Sequence, residues 1–523
     1  MSLPPHHHIT GVTAETGDAM AATTKAVEET EYSPRLQKRT LKGHQKPVLC
    51  LAHSSERLAY CSDEGNEHTH HPSLLLSGSE DGTARLWDLR TRKTSLCMVL
   101  PHDDDGVSDG NEVTSVAFHP SIVEEEQRKD GASGDGCQSV LPIQHYDRTV
   151  YATTANKVYG YDLRYHSANT SMSPILKTPH FDLSTSMDCT DEINQLSLSF
   201  PKKHSRSSNS GGKYYMSAAD DSGEVHMVEG LHHRYNEKEH ESNDGTTKKK
   251  KMKHTIICHA EPETMGITSS ALFQPRTNND TYIASGGTDC TIKLWDVSKP
   301  KRPTSIISIK PTESENTTQL CNPPYVHSLS WSSSGRLLSA GIGDGSCVIL
   351  RAEGRRLVEI GRLGFDEGGH TSAVAAVRFA NFGICDQMND QTIPPKVRKS
   401  GEAEDRLMIS AGNDGNIIFW DLGENMVGSG PLDPVSYLNT CLSPPSDSEG
   451  EDVKDATNAM ESLEVSSNQN DIPDPSPPKV VFKIAHGHKP NWITCSRASD
   501  TALPTSLFVA DTTNNISVFT LPL

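Results

Sequence analysis

Ser77-Gly78-Ser79-Glu80-Asp81-Gly82-Thr83-Ala84-Arg85-Leu86-Trp87-Asp88 recurs with small changes as Ser285-Gly286-Gly287-Thr288-Asp289-Cys290-Thr291-Ile292-Lys293-Leu294-Trp295-Asp296 and as Ser410-Ala411-Gly412-Asn413-Asp414-Gly415-Asn416-Ile417-Ile418-Phe419-Trp420-Asp421. In each stretch a serine is followed four residues later by an aspartate, and six after that by a tryptophan. Repetition at fixed spacing means that one supersecondary unit is used several times. The unit reads as a strand, a tight Asp-Gly-type turn and a second strand ending in Trp-Asp, which is the pattern of a β-propeller blade. Propellers commonly serve as binding platforms, so the search for function turns from a catalytic centre to a surface.

Working outward, seven units share this plan of a short apolar inner strand followed by two strands around a polar turn. The first runs from Gly43-His44 through Val48–Leu51 to Trp87-Asp88, and the second from Val113–Phe118 to Val158–Asp162. The third starts at Ile193–Leu198 and continues through Tyr214–Gly223 to Val228; the fourth runs from Ile267–Phe273 to Trp295-Asp296. The fifth runs from Val326–Trp331 to Leu350, and the sixth from Gly369-His370 and Val374–Phe379 to Trp420-Asp421. The seventh starts at His488 and Trp492–Cys495, and ends after three strands at Ile516–Phe519. Its missing fourth strand is supplied by Gln37–Lys42, which closes the ring and leaves no open edge. The expected fold is therefore all-β, a seven-bladed propeller over residues 33–523.

Composition says how much of the chain this fold uses. Of 523 residues only 34% are apolar, with 38 glycines and 31 prolines, and the mean hydropathy is −0.54. Seven blades of roughly 40–45 residues need about 300 residues, so the rest is expected in polar, disordered segments. These are a tail at 1–32 and inserts at about 52–72, 121–143, 165–190, 230–254, 388–405 and 424–478. No apolar run reaches the roughly 18 residues of a membrane helix, and Met1–His8 lacks the basic start and apolar stretch of a signal peptide. The 12 cysteines are scattered with no Cys-x-x-Cys pair, which fits free thiols in a reducing compartment, cytoplasm or nucleus. A net charge of −19 argues against direct nucleic-acid or anionic-membrane binding and favours basic partners. The chain is read as a monomer without a cofactor.

The histidines, serines, aspartates and tryptophans of the repeat take a structural reading first. His44, Ser77, Asp81 and Trp87 in blade one, and His370, Ser410, Asp414 and Trp420 in blade six, are placed to form chains of hydrogen bonds, because a buried indole N–H needs an acceptor and a buried carboxylate needs donors. A Ser-His-Asp hydrolase is set aside, since the group recurs in a repeat and no nucleophile turn accompanies it. Blade four keeps Ser285, Asp289 and Trp295, but His259 lies too far upstream to match. Blades two, three, five and seven lack the third-strand tryptophan and are expected to close by apolar packing. In the inserts, Lys248, Lys249, Lys250, Lys251 and Lys253 form a candidate import signal. Ser446 and Ser448 precede acidic residues and are candidate phosphorylation sites. His68, His70 and His71 resemble a metal cluster only superficially, since they fall in an insert expected to lack ordered partners, and His6–His8 do so still less.

Two blades continue past the repeat in the same way. Blade one ends Trp87-Asp88-Leu89-Arg90 and blade two ends Tyr161-Asp162-Leu163-Arg164, whereas blades four and six read Asp296-Val297-Ser298 and Asp421-Leu422-Gly423. An arginine two residues beyond the strand-ending aspartate should reach the rim and offer its planar fork of donors to a partner. Asp81, Trp87, Asp88 and Arg90, with Asp162 and Arg164, resemble the Trp-Asp-x-Arg box through which many WD-repeat proteins dock on the damage-specific DNA-binding adaptor of cullin-4 ubiquitin ligases. Over the whole chain, Gly43-His44, Pro47–Leu51, Val113–Val116, Glu192–Asn194, Ser217–Gly223, His486–Trp492, Leu507–Asp511 and Ile516–Phe519 are similar to the WD repeat-containing protein 53 family. Most inserts depart from that family, as does the more regular Gly78–Asp81 turn. The resemblance implies a seven-bladed propeller and a non-catalytic substrate receptor of a cullin-4 ligase, with no particular client. The alternative is a scaffold or chaperone for basic clients in histone or ribosome assembly. No Gly-rich phosphate loop or nucleophile elbow points to an enzyme.

Overall fold

The computed structural model describes residues 36–54, 74–91, 93–101, 112–119, 149–163, 175–199, 215–229, 253–260, 266–275, 281–311, 323–380, 405–427, 477–496 and 506–520. They form seven sheets, antiparallel but for one short pairing, arranged as the blades of a propeller. The strand β1 (Gln37–Lys42) precedes blade one, which contains β2 (Val48–His53), β3 (Leu74–Ser79), β4 (Thr83–Asp88) and β5 (Lys93–Val99). Blade two contains β6 (Val113–Phe118), β7 (Thr149–Thr154) and β8 (Lys157–Asp162). The short β9 (Ile175–Leu176) runs parallel to β5 as a fifth strand of blade one, and β10 (Phe181–Asp182) is the outer strand of blade two. Residues 175–190, read from the sequence as a polar insert, thus carry structure, including a one-turn helix at Ser184–Met187. Two-residue pairings have no periodicity to read. Likewise His53 belongs to β2, and Lys253 opens an outer strand.

Blade three contains β11 (Ile193–Leu198), β12 (Tyr215–Asp220), β13 (Glu224–Glu229) and β14 (Lys253–Cys258). Blade four follows with β15 (Thr268–Phe273), β16 (Tyr282–Gly287), β17 (Thr291–Asp296) and β18 (Ser305–Ser308), and blade five with β19 (Val326–Trp331), β20 (Leu337–Ile342), β21 (Cys347–Glu353) and β22 (Arg356–Leu363). Blade six holds β23 (Val374–Phe379), β24 (Leu407–Gly412), β25 (Asn416–Asp421) and β26 (Lys479–Ala485), and blade seven β27 (Pro490–Cys495), β28 (Ser506–Asp511) and β29 (Asn515–Thr520). The seventh sheet is completed by β1, paired antiparallel with β29 from Gln37 opposite Thr520 to Lys42 opposite Asn515. The ring is seven-bladed and closed by the N-terminal strand. Where blade seven meets blade one, Asn491 Nδ2 donates to the Val48 carbonyl at 3.0 Å.

The core is divided among the seams between blades. Cys50, Leu76 and Val113 join blades one and two; Tyr151, Val158 and Ile193 join two and three; Val225, Ile257 and Trp295 join three and four. The remaining seams are equally apolar, closing with Val48, Trp87 and Phe508 between blades seven and one. Small residues let the seams close. A Cβ on Gly286 would meet Val326 Cγ1 of the next blade at 2.5 Å, below any ordinary contact, so glycine is required by the close approach of β16 to β19. All seven inner strands carry a register shift near their start, as between Val48 and Cys50. The repeated bulge sharpens the local twist of each innermost strand.

Candidate functional site

The polar side chains of the repeat meet inside the blades. In blade one Trp87 Nε1 donates to Ser77 Oγ at 2.9 Å. Ser77 Oγ lies 2.8 Å from His44 Nε2, and His44 Nδ1 lies 3.0 Å from Asp81 Oδ2. Since the indole only donates and the carboxylate only accepts, Ser77 Oγ accepts from Trp87 and His44 Nδ1 donates to Asp81. Blade six repeats this with Trp420 to Ser410 at 2.8 Å, Ser410 to His370 Nε2 at 2.8 Å and His370 Nδ1 to Asp414 at 3.0 Å. Blade four has the same chain, contrary to the reading that excluded His259. Its ring is turned over, with Nδ1 2.7 Å from Ser285 Oγ and Nε2 3.1 Å from Asp289 Oδ1, and Trp295 donates to Ser285 at 2.8 Å. Three blades therefore carry the full set.

Blades three and seven, expected to close on apolar contacts alone, also hold buried His–Asp pairs. In blade seven His486, not the exposed His488, is buried, and its Nε2 lies 2.7 Å from Asp511 Oδ2. In blade three the buried Asp220 and His226 face each other.

Burial by itself would raise the carboxyl groups of Asp81, Asp289 and Asp414. Hydrogen bonds from the facing histidine and from nearby hydroxyl or backbone N–H groups outweigh it and hold all three below the usual carboxylate range. A depressed carboxylate contributes stability that is present above its unfolded value of about 3.9 and lost as pH falls below it. The urea midpoint should thus drop as pH is lowered below about 4. Asp81→Asn should flatten that slope, and an unchanged slope would show that Asp81 is not depressed.

The aspartates that end the third strands differ from blade to blade. In blade six Asp421, fully buried, receives a two-pronged bond from Arg406, with Nε at 2.6 Å and Nη2 at 2.9 Å. In blade four Asp296 Oδ1 accepts from the Ser298 N–H at 2.9 Å and from its hydroxyl. In blade one Asp88 is bound by Arg90 itself, with Arg90 Nε 3.2 Å from Oδ1, Nη2 3.1 Å from Oδ2, and the Arg90 N–H 2.9 Å from Oδ1. The Arg90 guanidinium beside Asp88, assisted by backbone N–H groups, holds its carboxyl below the usual range against the opposing effect of burial. Arg90 lies in the turn between β4 and β5, with its side chain 58% exposed and that of Asp88 18% exposed. The turn therefore presents a guanidinium whose orientation is fixed from behind. Asp81 and Trp87 belong to the internal chain of the same blade.

In blade two Tyr161 is buried and its hydroxyl donates to the Val99 carbonyl of blade one at 3.2 Å. Asp162 is fully buried, and its N–H donates to His180 Nδ1 at 3.1 Å. Arg164 lies outside the described residues, as do Lys248–Lys251, Ser446, Ser448, His68, His70 and His71. Arg406 was not singled out in the sequence, because it stands just before β24 and meets Asp421 only through strand pairing.

No helix among the described residues is long and apolar enough to cross a membrane. The family model "WD domain, G-beta repeat" matches residues 35–88 and 250–296, which end on the Trp-Asp of blades one and four. The WD repeat-containing protein 53 homolog of Dictyostelium discoideum is 23% identical over 399 residues, covering 73% of this chain and 77% of that protein. Shorter matches are to the ribosome biogenesis proteins ytm1 of Neurospora crassa, 32% identical over 19% of this chain and 16% of that protein, and YTM1 of Chaetomium thermophilum, 30% identical over 24% and 22%. Repeat, ring and relatives agree: the chain is a seven-bladed WD-repeat β-propeller, similar over most of its length to the WD repeat-containing protein 53 homolog.

Proposed function

We propose that this propeller is a non-catalytic scaffold that acts as a substrate receptor, docking on the DNA-damage-binding adaptor of a cullin-4 ubiquitin ligase through the turns after the third strands of blades one and two. The observation that carries the reading is the Asp88–Arg90 pair. The aspartates of blades four and six are satisfied by a hydroxyl or a buried arginine, whereas blade one holds an arginine outward on its aspartate. An interface gains most from such a group, since a pre-oriented guanidinium loses little freedom on binding. Tyr161 of the second copy is buried, and its hydroxyl donates to the Val99 carbonyl of blade one, which ties together the two blades that carry the box. Catalysis takes place on other subunits, and the remaining faces hold the client.

The test is capture of the ligase adaptor by wild type, Arg90→Ala and Arg90→Ala/Arg164→Ala chains. A central interface arginine is typically worth about 2 kcal/mol or more, so the single variant should bind roughly 30-fold more weakly and the double variant should capture none. Equal capture by all three chains would remove the arginines from the interface, and no capture by wild type would remove the ligase reading. A second reading, a scaffold in ribosome assembly, is favoured by the short similarity to the ribosome biogenesis proteins. It predicts co-sedimentation of the chain with pre-ribosomal particles, unaffected by Arg90→Ala.

A further inference from the structure

Blade three departs from the repeat at the place where the other blades build their polar chain. In blades one, four and six the serine of the second strand faces Arg85, Lys293 or Ile418 across the hairpin. In blade three that serine is Ala218, and the residue facing it is His226. The space left by the smaller side chain is occupied by a group of another kind. His226 Nε2 lies 3.2 Å from Asp220 Oδ2 and 3.2 Å from Glu224 Oε2. One donor atom from each of the three residues falls within 4.8 Å of the others.

His226 is fully buried, yet its Nε2 has no in-line hydrogen bond to either oxygen. A ring nitrogen pointing between two carboxylate oxygens is poorly placed to donate to one of them. It is well placed to share a cation with both. Donors about 2.0–2.1 Å from a tetrahedral ion sit about 3.3–3.4 Å apart, close to the spacing seen here.

The surroundings support the same use. His226 Nδ1 lies 3.2 Å from His254 Nε2, and the two rings stack at 5.4 Å with 11° between their planes. That is the outer contact that fixes the ring of a metal-binding histidine and leaves its other nitrogen to the ion. Thr190 Oγ1 donates to Asp220 Oδ2 at 3.4 Å, while Ser222 Oγ at 2.6 Å and the Glu224 N–H at 3.1 Å donate to Oδ1, so the carboxylate is oriented on both sides. Access runs along Glu224, whose side chain is 27% exposed, and the exposed Cys258, whose Sγ lies 3.7 Å from Glu224 Oε1.

We propose that Asp220, Glu224 and His226 form a binding site for one divalent transition-metal cation of the zinc class, with His254 positioning the histidine ligand. The ligands stand on β12 and β13, and His254 on β14, the strand that follows the insert at 230–252. The cation joins β12 to β13 across their hairpin, and β14 meets the site through His254.

The test uses the full chain and three variants, each first stripped with chelator. Glu224→Gln removes a ligand at the edge of the site while keeping its volume, and its circular dichroism in metal-free buffer should match wild type. Wild type should take up one more equivalent of Zn2+ than Glu224→Gln, should show the visible absorption of protein-bound Co2+, and should rise in Tm when Zn2+ is added. Glu224→Gln and His226→Gln should lose the absorption and the rise, and His254→Gln should bind roughly 10–100-fold more weakly. The proposal is overturned if wild type shows no rise and no Co2+ absorption, or if Glu224→Gln shows both as wild type does. In either case Asp220, Glu224 and His226 would be a structural ion cluster alone.

Discussion

Replacing Trp420 with alanine is expected to lower the unfolding free energy by about 3–5 kcal/mol. The indole is fully buried at the seam of blades five and six, among Leu337, Cys347, Val374 and Val377. Its removal leaves a cavity that the neighbouring sheets cannot fill without shifting. Ser410 Oγ also loses the indole donor. Trp420→Phe separates the two effects, keeping most of the packing and deleting the N–H, and should cost on the order of 1 kcal/mol. Urea denaturation of both variants checks this. Equal costs would show that the hydrogen-bonded chain, and not the packing, is what Trp420 contributes.

Arg406→Met should be comparably severe, at about 3–5 kcal/mol, because it strands the Asp421 carboxylate where no water reaches. The size of the loss reflects the uncompensated charge more than the worth of the pair. Arg406→Met/Asp421→Asn should therefore cost clearly less than Arg406→Met alone, since a neutral amide has a far smaller demand for solvation and can still accept from the Gly423 N–H that now bonds Asp421 at 3.0 Å. If the double variant is as unstable as the single one, buried charge is not the cause.

How far these groups could be read from sequence depends on what sets their position. Ser77, Asp81 and Trp87 lie on one hairpin, where the register fixes their spacing, and the same intervals identify them in blades four and six. The histidine lies outside that hairpin, before the inner strand. His44, His370 and His486 stand four residues before their inner strands, whereas His488, two residues before β27, looked like the member for blade seven because the sequence reading began that strand at Trp492. The histidines that blades four and seven bury are also tied to the blade before. His259 directly follows β14 and donates its N–H to the Gly223 carbonyl at 2.9 Å, and His486 directly follows β26 and donates to Gly415 at 2.9 Å. In blade four the distance onward to β15 is nine residues instead of four, which is why the interval missed His259. Counting from the end of the preceding outer strand finds both, but that strand has no distinctive sequence. The Asp220–Glu224–His226 group was hidden for a related reason: it replaces the repeat's polar set with other residue types at other positions. Of the proposed rim site, Asp88 and Arg90 were legible because only Leu89 separates them, and that closeness is what makes their pairing local.

The pairing of β1 with β29 has a consequence for how the molecule is made. Residues 37–42 are synthesised about 470 residues before their partner at 515–520. At about 5–20 residues per second, that interval is roughly half a minute to a minute and a half. Throughout it, β1 is an unpaired strand, and the inner strand of blade one, Val48–His53, lacks the neighbour that will cover Val48 and Leu51. The ring thus passes through a long period as an open arc with two sticky ends. A nascent chain of this design depends on the cell to keep those ends apart from other arcs until its own last strand arrives.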